Sequence, residues 1–553
     1  MLTKSQEELS CDVLVIGGGG AGLRSAIAAR MGHADVLLAA KTRLGPGSNT
    51  YISKAVIAST GYGTPDDNEI AYIEDTVKGG CYLNDQAMVT KVAERAHSEI
   101  TFLQECGVPF AAHEGKPRIL KLPGHRYPRH VHGAKWVGSD LVRPLKRRAA
   151  QVGVRFAEQL LITRLMAADN RICGAAGITT DGRFFAIHAR VVILATGGYA
   201  QIYLNTNNVP GTTGDGQALA YDLGVPLKDM EFVQFYPTAA GKRGSRIILY
   251  EQMLAQPGVA LCNVLGENIL ERNGIADPTQ VTRDRLAQIM THAISQGDSE
   301  DRGVFFDLTA LTEETARRLS FILPSRWWKG DKVIRVAPTT HFCMGGVVTD
   351  QNGETLMKGL FAVGEVTAGV HGANRLGGNA LAEIFTMGSW VGKMAAQRAG
   401  DIGPALVPKN AFEEERARLE GAFSSKGKSV KQSINELKRL MWNRAGVIRD
   451  GKGLAEAVNR LQEPGPGIAV SSPTDLIKYQ EFQNMRCVAR MVSRAALERT
   501  ESRGSHFRTD YPEEDNRKWL QNIVLRKGET GMSFEVKPVN LDIVDVKEGS
   551  PNV

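Results

Sequence analysis

"CDVLVIGGGGAGLRSAIAARMGHADVLLAAK" (residues 11–41) decides the fold. Residues 11–16 are a short apolar run of the kind a buried strand shows. Residues 17–32 are a glycine-rich turn followed by a helix with small residues on one face, and 34–41 is a second apolar strand. Strand, helix and strand in this order make a βαβ unit. Gly17, Gly19 and Gly22 keep the G-x-G-x-x-G spacing, with Gly20 and Ala21 inside it. Gly17 permits the tight turn and Gly19 lets the backbone approach a pyrophosphate. Gly22 lets helix and strand pack closely, and the positive end of the helix faces the phosphates. The plainer alternative is a structural glycine turn; dinucleotide binding is the expectation.

A fold of this kind built for NAD ends its second strand with Asp or Glu, which binds a ribose hydroxyl. Here that end reads Ala39-Ala40-Lys41, which argues against NAD. Further along, "RVVILATGG" (190–198) and "KGLFAVGEV" (358–366) are again apolar runs that stop at glycine. They indicate a cofactor held by several segments, as a flavin dinucleotide would be, with Thr196, Gly197 and Glu365 at the strand ends. Glu365 is a candidate ligand for a hydroxyl group.

Length and composition set the frame. A chain of 553 residues exceeds one hydrophobic core, and two to four domains are expected. The 59 glycines exceed the usual share of about 7%. They gather at "IGGGGAG", "ATGG", "TGDG", "CMGG" and "RLGGN", the places where a site would need bare backbone. Net charge is +7, which favours an anionic substrate, cofactor or partner. There is no arginine-rich stripe with interleaved aromatics, so nucleic acid is not an expected partner. The seven cysteines are scattered and none forms C-x-x-C, which argues against a disulfide framework, an iron–sulfur cluster or a metal site within the chain. No signal peptide, twin-arginine motif or 18-residue apolar run is seen; a reducing, cytoplasmic setting is expected.

Coarse patterns give further elements. Strands are expected at 174–180 and 303–311 and within "MSFEVKPVN", and helices at 282–296, 411–423, 434–446 and 476–502, with "EPGPG" (463–467) as a break. Glycine-punctuated strands at 11–41, 174–198 and 358–366 flank a different style between 242 and 338. An inserted domain within a nucleotide-binding domain would produce that order.

The segments "VIGGGGAGLRSAIAA", "ATGGYAQIY", "TGDGQALAYDLGVPLKDMEFVQF", "HFCMGGVVTD", "GLFAVGEVTAGVHGANRLGGNAL" and "ESRGSHFRTDYPEED" occur in this order from residue 11 to about 540. Together they resemble the flavoprotein subunits of succinate dehydrogenase and fumarate reductase, with L-aspartate oxidase and the adenylylsulfate reductase flavoprotein as relatives. The resemblance implies an α/β Rossmann-like FAD-binding domain (1–240 and 340–405) interrupted by an α+β capping domain (241–339). A helical domain (406–505) and a small C-terminal tail (506–553) follow. It implies FAD, and an iron–sulfur subunit as electron partner, possible membrane attachment coming only through partners. The implied cofactor-binding positions are Gly17, Gly19, Gly20, Ala21, Gly22, Lys41, Ser48, Asn49, Thr50, Thr196, Gly197, Asp215, Glu365, Arg375, Asn379, Ala380 and Leu381. His341 and Arg375 match positions that hold substrate carboxylates, and Arg283 matches the proton donor. An arginine fork suits a carboxylate, and a histidine adds one more hydrogen bond. Plainer roles stand beside these: a packed His341, a surface ion pair for Arg375, and pairing of Arg283 with Asp284 or Glu271.

Four departures from the family pattern matter. Asn49 stands where many members carry the histidine that links FAD covalently, so non-covalent FAD is expected. Tyr236 ("EFVQFYPT") replaces a carboxylate-binding histidine. In "YEQMLAQPGV" (250–259) Tyr250 replaces a threonine; Glu251 is kept, and Leu254 replaces a relay arginine. The string 125–138 also differs, although Gly138 still precedes an expected helix. The flavin side is thus intact and the substrate side altered. The expectation is an oxidoreductase acting on the CH–CH bond of fumarate, succinate or a related enoate, with Arg283, His341, Arg375, Glu251 and Tyr236 at its site. The alternatives are an L-aspartate oxidase-like enzyme, or a flavin electron-transfer module whose substrate pocket Tyr236 and Tyr250 have closed.

Overall fold

The structure is a computed structural model. It describes residues 2–3, 6–241, 247–249, 251–278, 281–295, 303–319, 323, 325–403, 406–465, 467–529 and 531–546. Tyr250 lies outside them, as does the side chain of Glu251.

The opening stretch folds as its pattern demands. Strand β1 (Gln6–Ile16), helix α1 (Gly20–Met31) and strand β2 (Val36–Ala40) form the βαβ unit, with Val13 opposite Val36 and Ile16 opposite Ala39 in parallel register. β1 also pairs in parallel with Phe184–Leu194 along its whole length, and β2 pairs with Arg155–Glu158. The second half of Phe184–Leu194 pairs in parallel with Leu360–Ala362. Its first half turns antiparallel onto Arg171–Thr179, which pairs with Leu160–Ala168. The result is a five-stranded parallel layer with an antiparallel extension. Its parallel strands are buried on both faces, which is why they read as unbroken apolar runs.

Helix Asn379–Asp401 covers one face of this layer against α1. A Cβ on Gly392 would sit 2.3 Å from the Ser25 carbonyl oxygen, and one on Gly388 3.1 Å from Cβ of Arg24. These two glycines let the helices approach backbone to backbone. Periodicity does not reveal this helix, nor Glu69–Gly79, Gln86–Glu105 and Gly451–Gln462. Asn68, Asp85 and Asp450 cap the last three through their side chains, a signal the sequence does carry.

A second sheet is antiparallel, in the order Val233–Ala240, Val333–Cys343, Val304–Asp307, Ala260–Cys262. Around it, Leu249, Met253, Leu254, Leu286, Met290, Phe306 and Val336 form a core of their own. The strand Val333–Cys343 runs through the boundary expected at 339, because its ladder to Val233–Ala240 continues to Cys343. The expected helix over 282–296 is Arg283–Ser295 and the expected strand over 303–311 is Val304–Asp307. Only Leu360–Ala362 of 358–366 is strand; the glycine that follows turns the chain toward the site.

The expected helices at 411–423, 434–446 and 476–502 are Ala411–Gly421, Val430–Arg444 and Pro473–Glu498. The final segment is more than a tail. Gln521–Gly528 pairs with Gly531–Pro538 and also with Leu227–Lys228, which pairs with Gly346–Val347. Among the described residues no helix is long and apolar enough to cross a membrane, and no group of three or more His, Cys, Asp or Glu could hold a metal ion.

Candidate active site

At the C-terminal ends of the parallel strands lies a cleft with about 950 Å³ of empty space, open solvent included. It is lined by Gly17, Gly19, Gly20 and Ala21, by Lys41, by Ser48, Asn49 and Thr50, and by Thr196, Gly197, Asp215 and Glu365. Gly22 sits beneath this lining. A Cβ there would fall 1.8 Å from the Gly17 carbonyl oxygen, so the turn needs glycine to let helix meet strand. Gly17 has φ 124°, a conformation that only glycine adopts without strain. Thr50 Oγ1 accepts from the Gly20 N–H at 3.1 Å, and Ser48 caps the short helix Asn49–Ile52.

Lys41 is bound from three sides: 2.6 Å from Asp215, 2.9 Å from Glu481 and 2.6 Å from Thr213 Oγ1. Burial opposes its charge, but the two carboxylates outweigh that and hold its pKa above the ordinary lysine value; Asp215 is held low, against its own burial, by Lys41. The cation at the end of β2 thus fastens three segments.

The side chains of Asn379, Ala380 and Leu381 are not among those lining the cleft. Asn379 is buried; its Oδ1 accepts from the Tyr72 hydroxyl at 3.0 Å and its Nδ2 donates to Thr76 Oγ1 at 3.0 Å. Ala380 packs beside Phe342 and Leu83, and Leu381 joins the core around α1. They open the first turn of helix Asn379–Asp401, where only backbone N–H groups are left to meet a cofactor. Arg375 does not line the cleft either. It belongs to the neighbouring niche.

In that niche Arg375 is 7% exposed. Its Nη2 donates to Gln234 Oε1 at 3.0 Å, its guanidinium stacks 4.6 Å over the Phe342 ring, and its Nε is buried with no hydrogen-bond partner. Among the described residues no carboxylate forms an ion pair with it, so it is not the surface salt-bridge partner of the plainer view. Burial, then the charge of Arg283, pull its pKa down to about 9. His341 meets the Tyr236 ring edge-on at 5.4 Å, and the Arg283 guanidinium lies 5.0 Å from the centroid of the same ring. Desolvation, Arg375 and Arg283 hold the His341 pKa well below its ordinary value, so the imidazole is neutral at pH 7. Arg283, Tyr236, His341 and Arg375 are therefore brought together. Leu254 is buried in the core of the second sheet and Glu251 begins the turn Glu251–Ala255 beside it.

Glu365 joins cleft and niche. Its Oε1 accepts from the Cys343 N–H at 3.1 Å, and burial raises its pKa to about 7, the Cys343 N–H and Arg375 opposing. Gln234, which also donates to Asn374 Oδ1 and the Arg375 carbonyl at 2.9 Å, and Asn207, 3.0 Å from His341 Nδ1, complete the surroundings. Neither follows a spacing rule that would single it out in the sequence.

A long cleft at the ends of a parallel sheet, reached by a glycine turn and opening onto a cationic niche, defines a dinucleotide-dependent oxidoreductase. A family model described as an FAD binding domain matches residues 12–381, and one described as the fumarate reductase flavoprotein C-terminal region matches 434–551. The chain belongs to this family of fumarate reductase and succinate dehydrogenase flavoproteins, and its cofactor is FAD. It is 34% identical to an uncharacterized FAD-dependent oxidoreductase of Methanocaldococcus jannaschii, over 94% of this chain and 96% of that one. It is 32% identical to one subunit of the fumarate reductase (CoM/CoB) of Methanothermobacter marburgensis, over 94% and 98%. Among solved structures, a variant of E. coli quinol fumarate reductase FrdA superposes with a TM-score of 0.87 at 27% identity, covering 99% of both chains. Mycobacterium smegmatis Sdh1 in complex with UQ1 gives 0.88 at 29%, over 98% and 96%. The residues present fit FAD: the bare glycine turn, the buried and unpartnered Thr196 Oγ1 in the lining, and Glu365 at the far end of the cleft.

Proposed function

We propose that this chain is the flavoprotein subunit of an enzyme that reduces, or reversibly oxidises, the CH–CH bond of a small carboxylate, with fumarate and related enoates as the substrate class. The buried Nε of Arg375 carries this reading: it has no hydrogen-bond partner, and among the described residues no carboxylate forms an ion pair with this guanidinium, so it is a site for one brought by a ligand. Bound FAD supplies hydride chemistry at its N5. Arg375 holds and orients the substrate carboxylate, and His341 adds a neutral hydrogen bond. Arg283 donates the proton to the substrate carbon. Because an arginine holds its proton tightly, this transfer would be concerted with hydride arrival. The tyrosine at 236 keeps a hydroxyl where a histidine is expected, which leaves one carboxylate firmly bound and the far end of the substrate free to differ. Glu251 is retained for the return of the proton to Arg283, but with Leu254 in place of the relay arginine that path is incomplete.

In this reading residues 241–339 are the capping domain, inserted between the two parts of the FAD domain at 1–240 and 340–405. The separate apolar core around Leu286 and Phe306 supports that division. FAD is held without a covalent bond, since Asn49 cannot form a histidyl link, so acid-precipitated protein should release all of its yellow colour. Electrons pass to and from an iron–sulfur subunit, and the complex works at the cytoplasmic side.

The test is anaerobic. The bound flavin is reduced chemically and its reoxidation by fumarate and a panel of enoates is followed by absorbance. Reoxidation by at least one of them is expected, slowed by about 10²–10⁴ in Arg283→Lys. If none acts faster than buffer, and no carboxylate perturbs the oxidised flavin spectrum, the electron-transfer module is the better description.

A further inference from the structure

Beside the niche four side chains form a line: Asn49, Asn208, Asn207 and His341. Asn207 and Asn208 are 6% and 5% exposed, so their amides cannot turn to water for partners. Backbone groups fix the amides of Asn49 and Asn208, and Asn208 in turn orients Asn207. The Val209 N–H can only donate, and it donates to Asn49 Oδ1 at 3.0 Å. Asn49 therefore offers Nδ2 to Asn208 Oδ1. At the next residue, the His341 and Thr340 carbonyl oxygens can only accept, and they take Asn208 Nδ2 at 2.9 and 3.4 Å. Of the two Nδ2 protons, one serves the His341 carbonyl with the longer Thr340 contact sharing it, and the other serves Asn207 Oδ1 at 3.1 Å, so that oxygen already accepts. Asn207 Nδ2 is left facing His341 Nδ1 at 3.0 Å, with Oδ1 farther away at 3.3 Å. A ring nitrogen that faces an amide N–H must offer a lone pair.

We propose that Asn49, Asn208 and Asn207 form a directional amide chain that fixes His341 as the tautomer with a bare Nδ1 and a proton on Nε2, making it a neutral hydrogen-bond donor to the substrate. Asn207 is thereby a positioning residue. Arg375 and Arg283 oppose a second proton on the ring, and the Tyr236 ring packs edge-on against it. A carboxylate held by this site gains or loses no proton at His341 as pH varies around neutrality. The role of the Nε2–H toward substrate rests on the carboxylate reading above; the tautomer itself does not.

The experiment uses holoenzyme labelled with ¹⁵N-histidine, with the His341 signals identified by their absence in His341→Gln. One bare and one protonated ring nitrogen are expected, with the proton on Nε2 from pH 6 to 8.5. A proton on Nδ1, or both nitrogens protonated, overturns the proposal, and the unmutated protein alone decides this. Asn207→Asp replaces the donor amide by an acceptor and should move a proton onto Nδ1. In the same variant succinate affinity, read from the flavin spectrum, should fall by up to about tenfold per pH unit above the raised His341 pKa, while wild type stays within about twofold. Identical ring signals in wild type and Asn207→Asp also overturn it. If Asn207→Asp loses its flavin, Asn208→Ala, which releases the Asn207 oxygen, should mix the tautomers; an unchanged single tautomer there counts against the chain. Failure of succinate to bind either protein, with the Nε2–H signal intact, refutes the substrate reading and not this one.

Discussion

At one end of the cleft the Lys41 ammonium lies 2.6 Å from Asp215 and 2.9 Å from Glu481. In the neighbouring niche the Arg375 guanidinium, among the described residues, donates to one side chain, the neutral amide of Gln234, and its buried Nε to none. Arg375 is buried and Lys41 largely so, both beside FAD-family motifs, yet they are treated in opposite ways. The nucleotide end satisfies its own charges and is a finished piece of structure. The niche gives Arg375 no paired carboxylate among the described residues, only the more distant charges of Glu365 and Glu383, and burial of that cation opposes folding. That asymmetry separates a part of the site built to hold a permanent cofactor from a part built to hold something that comes and goes.

The comparison can be broken at either end. The largest effect belongs to the finished end. Gly22→Val places side-chain atoms where the Gly17 carbonyl oxygen now lies, and the protein should be recovered without flavin, as judged by the ratio of absorbance at 450 to 280 nm. A variant that kept a full flavin complement would show that the turn is not what brings the cofactor in. At the unfinished end, Arg375→Gln should keep its flavin, because Arg375 does not line the cleft, but lose roughly 10²- to 10³-fold in kcat/KM for a carboxylate. Equal loss of flavin and activity would mean that the two ends are one structural unit.

The smallest effect is a control away from both. Asp229 is 1% exposed; burial, with Glu231 adding to it against Lys228 and Arg499, raises its pKa to about 7. The unfolded chain releases that proton near pH 4. The folded state therefore binds more protons between pH 4 and 7, and this contribution to stability fades as pH rises through 7. Asp229→Asn removes the titration and suits the positive φ of 60° at this position. Its melting temperature should match that of wild type below about pH 4, pull ahead between pH 4 and 7, and exceed it by roughly 2–4 °C at pH 8. Parallel melting curves across this range would rule the carboxyl out as the source.

How far the sequence can be read follows the same division. The nucleotide end is legible because glycine spacing and strand burial are local. Gly17, Gly19 and Gly22 lie within six residues, and the strands around them are buried on both faces. Arg283, His341 and Arg375 are far apart in the chain, and only the family's ordered motifs bring them together ahead of the structure. Asn379 shows the limit of such transfer. The motif singles out the position, but the amide is consumed by Tyr72 and Thr76, two residues on a helix whose packing no local pattern announces. Asn207 and Asn208 do not stand out, because polar pairs in loops are common and only the three backbone groups that orient them give them meaning.

The ladder at the end of the chain has a bearing on how the molecule is made. Leu227 pairs with Leu525 on one side and with Val347 on the other, and the Val347 segment follows directly from the strand that carries His341. During synthesis the niche must wait for residues about 180 positions downstream before this sheet is complete, a long-range pairing of the kind that forms late. An enzyme that holds bare cationic charge thus assembles it only once nearly the whole polypeptide has been translated, and loss of the last fifty residues should silence the niche while leaving the glycine turn at the opposite end of the sequence untouched.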